Sequence, residues 1–281
     1  MEKTSSMLFG TVGTPISTPK KPGGSIGAIQ TLKEMNLGAL ELGWVQSVRV
    51  TEVKCAEIKQ TAKECAIHLS VHAPYYINLN ADEEEWPKSR QRLMDAAFYG
   101  NLAGATDIIF HPGSYFEQPA EEVLKIALPR LSACAAELQK SGNYVNLRPE
   151  TMGKSAMLGS FEDTLVMSKE IEGVLPCLDF AHLHARSGDG SVNSTDEWTR
   201  MIESYEKALG AESLKNLHIH LSGIEYSLKG EKNHLPIRES DLNINQLLET
   251  LKKAGCAGRI LCESPILEED AVFMQELWKS L

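Results

Sequence analysis

Apolar residues along this chain fall into short runs rich in β-branched and aromatic side chains. Each run is followed by a stretch whose apolar positions recur with helical period. That alternation predicts strands and helices in turn. The first strand is expected near Met7–Val12, then a Pro/Gly loop at Thr14–Gly24 and a helix over about Ser25–Met35. A strand at Ala39–Leu42 leads to a helix near Thr51–Glu64, with Val53, Ile58 and Ala62 expected on one face. A third strand ends at His72, and proline near the first turn opens a helix over about Pro87–Ala103. The fourth strand ends at His111, and the helix after it runs from Pro119 to about Leu138, closed by Ser141-Gly142-Asn143.

The fifth strand ends at Glu150, and Ser160 to Asp163 has capping-box spacing for the next helix. The sixth ends at Asp179 and is expected to run into a loop through Gly188-Asp189-Gly190, with Ser194 or Thr195 capping the helix beyond. The seventh ends at His220, with a long loop to about Ser240 and a helix opened by Asp241. The eighth ends at Glu263, before a last helix. Eight such units imply a parallel sheet closed into a (β/α)8 TIM barrel, one domain over residues 1–281. A doubly wound open sheet is the alternative.

Composition narrows the class. Hydrophobic content of 42% and charged content of 23% are ordinary for a globular chain. A formal net charge of -10 argues against broad electrostatic wrapping of nucleic acid, though not against a local phosphate site. The six cysteines are dispersed, with no CxxC pair, and Cys177 and Cys262 lie inside apolar runs. That pattern suits free buried thiols in a reducing, cytoplasmic setting. No apolar run has the length of a membrane span, and a monomer is expected.

The chemistry sits at the strand ends. His72, His111, Glu150, Asp179, His220 and Glu263 each close an apolar run, and His182 follows closely. The C-terminal ends of barrel strands converge on the active-site face. Any one of these residues alone is more often a rim residue or a helix cap. Six together cannot all be caps, because converging unpaired carboxylates would repel one another, a cost that a multivalent cation removes. Imidazole and carboxylate are the ligand set of zinc, manganese or iron.

The segments His72-Ala73-Pro74-Tyr75, Phe110-His111-Pro112-Gly113, Glu150-Thr151-Met152-Gly153, Asp179-Phe180-Ala181-His182, His220-Leu221-Ser222 and Glu263-Ser264-Pro265 resemble those of the endonuclease IV family. These are zinc-dependent apurinic/apyrimidinic endonucleases within the xylose-isomerase-like TIM barrels. The resemblance implies three zinc ions, with manganese as the alternative metal, and abasic double-stranded DNA cut on the 5′ side of the lesion. It places His72, His111 and Glu150 on one ion, Glu150, Asp179, His220 and Glu263 on a second, and His182 with His234 on a third. Glu150 and Glu263 are the expected catalytic carboxylates, and Tyr75 matches a tyrosine that packs near the abasic site.

The chain departs from the family in three places. Lys232 stands where an aspartate ligand is usual, two residues before His234. An ammonium there implies a weak or missing third ion, with Lys232 contacting phosphate instead or Glu231 substituting as ligand. The segment after Glu150 is one residue shorter than usual. His184 and Arg186 add polar groups expected at the same mouth, Arg186 as a substrate contact. Lys20, Lys21, Arg49, Lys154 and Lys229 fall on loops of that face, and Trp44 and Trp86 are core or rim aromatics. Two other functions fit part of the pattern. A sugar isomerase or epimerase needs one divalent ion on Glu150, Asp179, His220 and Glu263, but not the four further imidazoles. A metal-binding protein without catalysis needs neither substrate nor bridging.

Overall fold

The computed structural model describes residues 6–281. Eight parallel strands form the sheet: β1 (Met7–Val12), β2 (Ala39–Gly43), β3 (His68–His72), β4 (Asp107–Phe110), β5 (Asn146–Pro149), β6 (Leu178–Asp179), β7 (Leu217–Leu221) and, after a two-stranded hairpin of β8 (Gly223–Ser227) and β9 (Gly230–Leu235), β10 (Gly258–Cys262). Their order is β5-β4-β3-β2-β1-β10-β7-β6. The two ends meet through parallel bridges Leu147–Val174 and Glu150–Cys177. Backbone bonds from Leu147 to Gly173, Leu175 to Leu147, Cys177 to Pro149 and Thr151 to Cys177 complete the circle. The (β/α)8 barrel read from the sequence is the fold observed.

The helices α1 (Gly24–Glu34), α2 (Glu52–Cys65), α3 (Trp86–Ala103), α4 (Ala120–Lys140), α5 (Phe161–Glu170), α6 (Phe180–Arg186), α7 (Thr195–Leu209), α8 (Ile244–Lys253) and α9 (Glu268–Ser280) surround it. The strand period of two divides the residues cleanly. Leu69, Val71, Ile108, Phe110, Leu147, Ile219, Ile260 and Cys262 belong to the apolar cluster under the helices. The alternate positions, which face the lumen, are largely polar: Glu41, Ser70, His72, Asp107, Arg148, Glu150, His218, His220 and Arg259 are all buried. Barrel lumens are usually filled by branched apolar side chains; this one is not.

Four expectations are corrected. The segment after Asp179 is the helix α6, not a loop: Asp179 caps it by accepting from the His182 amide. The long connection after His220 folds into the β8–β9 hairpin. The helix expected from Asp241 starts at Ile244, because Asn243 supplies the cap. In α2, Val53 is 71% exposed and Cys55 takes its place on the buried face with Ile58 and Ala62, since five residues from Val53 to Ile58 overshoot a helical turn. The capping box from Ser160 to Asp163 is present with both of its bonds.

Candidate metal centre

The strand ends bring the expected donors together. His72 ends β3, His111 follows β4, Glu150 follows β5, Asp179 ends β6, His220 lies in β7 and Glu263 follows β10. His182 enters from α6 and His234 from β9. They form three adjoining groups: His72–His111–Glu150, Glu150–Asp179–His220–Glu263 and Asp179–His182–His234–Glu263. Glu150 is common to the first two, and Asp179 and Glu263 to the last two.

The spacings are those of ligands around shared ions. The His72 Nε2 and His111 Nε2 atoms lie 3.3 and 3.4 Å from Glu150 Oε2. His220 Nδ1 lies 3.3 Å from Glu150 Oε1 and 3.4 Å from Glu263 Oε1. His182 Nε2 lies 3.3 Å from both His234 Nε2 and Glu231 Oε2. Ligand atoms about 2.0–2.1 Å from one tetrahedral ion stand about 3.4 Å apart. A charge-assisted N–H···O bond would be shorter, about 2.7–2.9 Å.

Three of the histidines are also turned to offer a lone pair. Backbone carbonyls face His72 Nδ1 (Ala73, 2.9 Å), His182 Nδ1 (Thr151, 3.0 Å) and His234 Nδ1 (Glu263, 3.1 Å). A ring whose Nδ1–H donates to a carbonyl presents an unprotonated Nε2 to the centre. The carboxylates are left wanting: Glu150 Oε2, Asp179 Oδ2 and Glu231 Oε2 are buried without a hydrogen-bond partner. Buried acceptors of this kind are rare and costly. Together the orphan oxygens and the turned imidazoles fit divalent cations.

In the cation-free chain protons take on that task. Burial alone would raise Glu150, but His220, His111 and His182 hold it well below its ordinary value. Burial would depress His72, His182 and His220, yet neighbouring anionic groups raise all three. Asp179 rises to about 6, first by burial and then, against the pull of His182, by the charges of Glu263 and Glu150.

Lys232 is not brought into the centre. Its Nζ pairs with Glu225 at 3.0 Å on the outer side of the hairpin. The cause is a register shift: Asn233 pairs with Glu225 and Glu231 with Tyr226, so Lys232 is the extra residue of a bulge. In a regular strand Glu231 and His234, three apart, would face opposite sides. One added residue restores them to the same face and expels Lys232. Glu231 therefore adds a further carboxylate to the third group, beside His182. Gly153 makes room for it: a Cβ there would lie 2.0 Å from Glu231 Oε2.

Arg186 is also otherwise engaged. It donates to the carbonyls of Met152, Lys154 and Met157 and so braces the loop after Glu150. His184 is buried, bonded to Ser191 and Asp241 away from the mouth. Tyr75 does reach the site, half-exposed, stacked on His111 at 5.0 Å and edge-on to His72. Lys20, Lys21, Arg49, Lys154 and Lys229 are exposed, while Trp44 and Trp86 pack partly against the core. A cavity of about 350 Å³ opens above the donors between Tyr75, Val12 and Leu267.

Glu41, Ser70 and His218 were not singled out from sequence. Each lies in the lumen beneath the centre. The signal was available: Ser70 and His218 stand two residues before His72 and His220, on the same strand face. All six cysteines are free, and among the described residues no helix is long and apolar enough to cross a membrane.

The sequence model of the family described as xylose isomerase-like TIM barrel matches residues 29–280. An uncharacterized protein of Methanocaldococcus jannaschii is 38% identical over 282 residues, covering all of both chains. A probable endonuclease 4 of Oceanobacillus iheyensis is 27% identical over 160 residues, 53% of this chain and 50% of its own length. Among solved structures, a D-tagatose 3-epimerase-like protein superposes with TM-score 0.71 at 20% identity, covering 98% of this chain and 96% of its own. Endonuclease IV from Thermus thermophilus gives 0.70 at 18%, covering 96% and 98%. These two structural likenesses speak for the fold alone.

Proposed function

The chain belongs to the xylose isomerase-like TIM barrel family, and from that premise we propose that it is a metal-dependent phosphodiesterase cutting DNA on the 5′ side of abasic sites. The observation that carries this reading is the number of donors. Glu150, Asp179, His220 and Glu263 suffice for one ion, yet His72, His111, His182, His234 and Glu231 extend the same network on both sides. A single-ion isomerase has no use for them. When bound, divalent ions, zinc by this donor set, would supply an activated water and neutralise charge on the phosphate and its leaving oxygen.

The chain's residues do the rest. Glu150 and Asp179, anchored on adjoining strands, fix the spacing between groups. Tyr75 offers an aromatic face at the cavity edge for the sugar beside the scissile phosphate. Glu263 lines the cavity, with Oε1 turned to His220, and receives the water's proton on Oε2. The water oxygen bonds to phosphorus, the bond from phosphorus to the 3′ oxygen breaks, and that oxygen leaves as a hydroxyl with the proton returned from Glu263 through solvent.

The test is cleavage of a duplex with one abasic site, beside an intact duplex, by protein loaded with zinc. Cleavage confined to the 5′ side of the lesion supports the reading. Proton exchange from solvent into a ketose without DNA cleavage overturns it in favour of an epimerase served by the Glu150–Asp179–His220–Glu263 group alone.

A further inference from the structure

Beneath the metal centre lies a carboxylate that the proposed reaction does not use. Glu41, on β2, is fully buried in the lumen. Its Oε2 accepts from Ser70 Oγ at 2.9 Å and faces His218 Nε2 at 2.8 Å. Its Oε1 lies 3.1 Å from His220 Nε2. The two lumen arginines do not pair with it: Arg148 and Arg259 are both committed to Asp107. An anion buried with imidazoles rather than a fixed cation is costly in a structural role alone.

His220 shows what the arrangement achieves. One ring nitrogen faces Glu41; the other, Nδ1, faces Glu150 Oε1 and Glu263 Oε1. A neutral ring has one proton to place. Nε2 and Glu41 Oε1 have no other hydrogen-bond partner, so a proton on Nε2 is turned toward Glu41 and leaves Nδ1 free as a ligand. On Nδ1 it bonds Glu150 or Glu263 and the ring is no ligand at all. We infer that Glu41 is a positioning residue that selects the ligating tautomer of His220 and strengthens it as a donor, with Ser70 and His218 fixing the carboxylate from the other side.

The inference rests on His220 being a metal ligand, not on DNA being the substrate. Its test uses the full chain, zinc as the probe, long-range proton–nitrogen NMR of the histidine rings, and the melting point of metal-free protein. With zinc bound, wild-type His220 is expected to carry its one proton on Nε2. E41Q keeps the shape and removes the charge; it should weaken zinc at the His220 group 10- to 100-fold, the usual effect of losing such a partner. S70A, which leaves Glu41 in place but less firmly held, should weaken zinc by a smaller factor in the same direction. Zinc-loaded wild-type His220 protonated on Nδ1 would overturn the inference even if E41Q fails to fold. So would an E41Q protein that melts earlier but binds zinc like its parent. A chain that loses zinc with E41Q yet cuts no abasic DNA upholds Glu41 and removes only the nuclease reading.

Discussion

Two buried polar clusters occupy opposite ends of the same barrel, and they are finished differently. At the N-terminal floor, Asp107 receives Arg148, Asn146, Thr106 and Arg259. The arginines spend their remaining donors on the carbonyls of Pro176, Asn216 and Leu69. None of these side chains keeps an unpartnered buried atom. At the mouth, Glu150, Asp179 and Glu231 each keep one. A saturated network is complete as folded and serves the fold. An unsaturated one of similar burial is complete only with something added. Burial alone does not separate structure from function here; the state of the last lone pair does.

Removing one charge from each end should have different consequences. Arg148→Met leaves buried Asp107 with Arg259 as its one remaining cation and should cost about 3–5 kcal/mol, read as a fall in the urea midpoint. Glu150→Gln makes an equally buried change and removes the anion that His220, His111 and His182 face, so metal-free protein should also unfold more easily near neutral pH. It should in addition lose more than one ion per chain and all phosphodiester cleavage, which folded Arg148→Met protein should keep. If the folded arginine variant loses metal as the Glu150 variant does, the two clusters are of one kind.

Acidity should separate them further. Asp107 is held far below its ordinary value, its burial overcome by Arg148 and Arg259. A depressed carboxylate contributes stability above its unfolded pKa of about 3.9, lost only as pH falls through the folded value. The floor is therefore silent between about pH 6 and 9. His72, His182 and His220 are raised from 6.5, so their contribution is full below 6.5 and lost as pH climbs through the raised values. Metal-free protein should lose stability as pH rises above about 6.5, and zinc-loaded protein should not. A flat metal-free profile would mean that the imidazoles are not protonated against the carboxylates.

The smallest contrast lies within the hairpin. Glu231→Gln should remove an ion from the group of His182 and His234, whereas Lys232→Ala should leave ion count and melting point unchanged. A loss of metal in the lysine variant would show that the bulge does not turn Lys232 outward in solution.

Much of this was legible in the chain. The barrel followed from eight alternations, and the six strand-end donors from their position, because a parallel strand delivers its last residue to a common face. The hairpin was not legible, since β9 reads Gly-Glu-Lys-Asn-His-Leu with no alternation. Its bulge exchanged the roles of Glu231 and Lys232, a phase shift that spacing from His234 cannot reveal. Arg186 looked available because a loop was expected; on α6 it turns to three carbonyls instead. Glu41 sits between Leu40 and Leu42 with no neighbour in sequence to betray it, because its partners Ser70, His218 and His220 come from other strands.

Counting metal ions tests the central claim most directly. Protein purified without added metal, then loaded with zinc and freed of excess, should carry three ions per chain by elemental analysis, and Glu231→Gln should carry fewer. One ion per chain in the parent, unchanged in the variant, would contradict the polynuclear centre and leave the extra histidines unexplained.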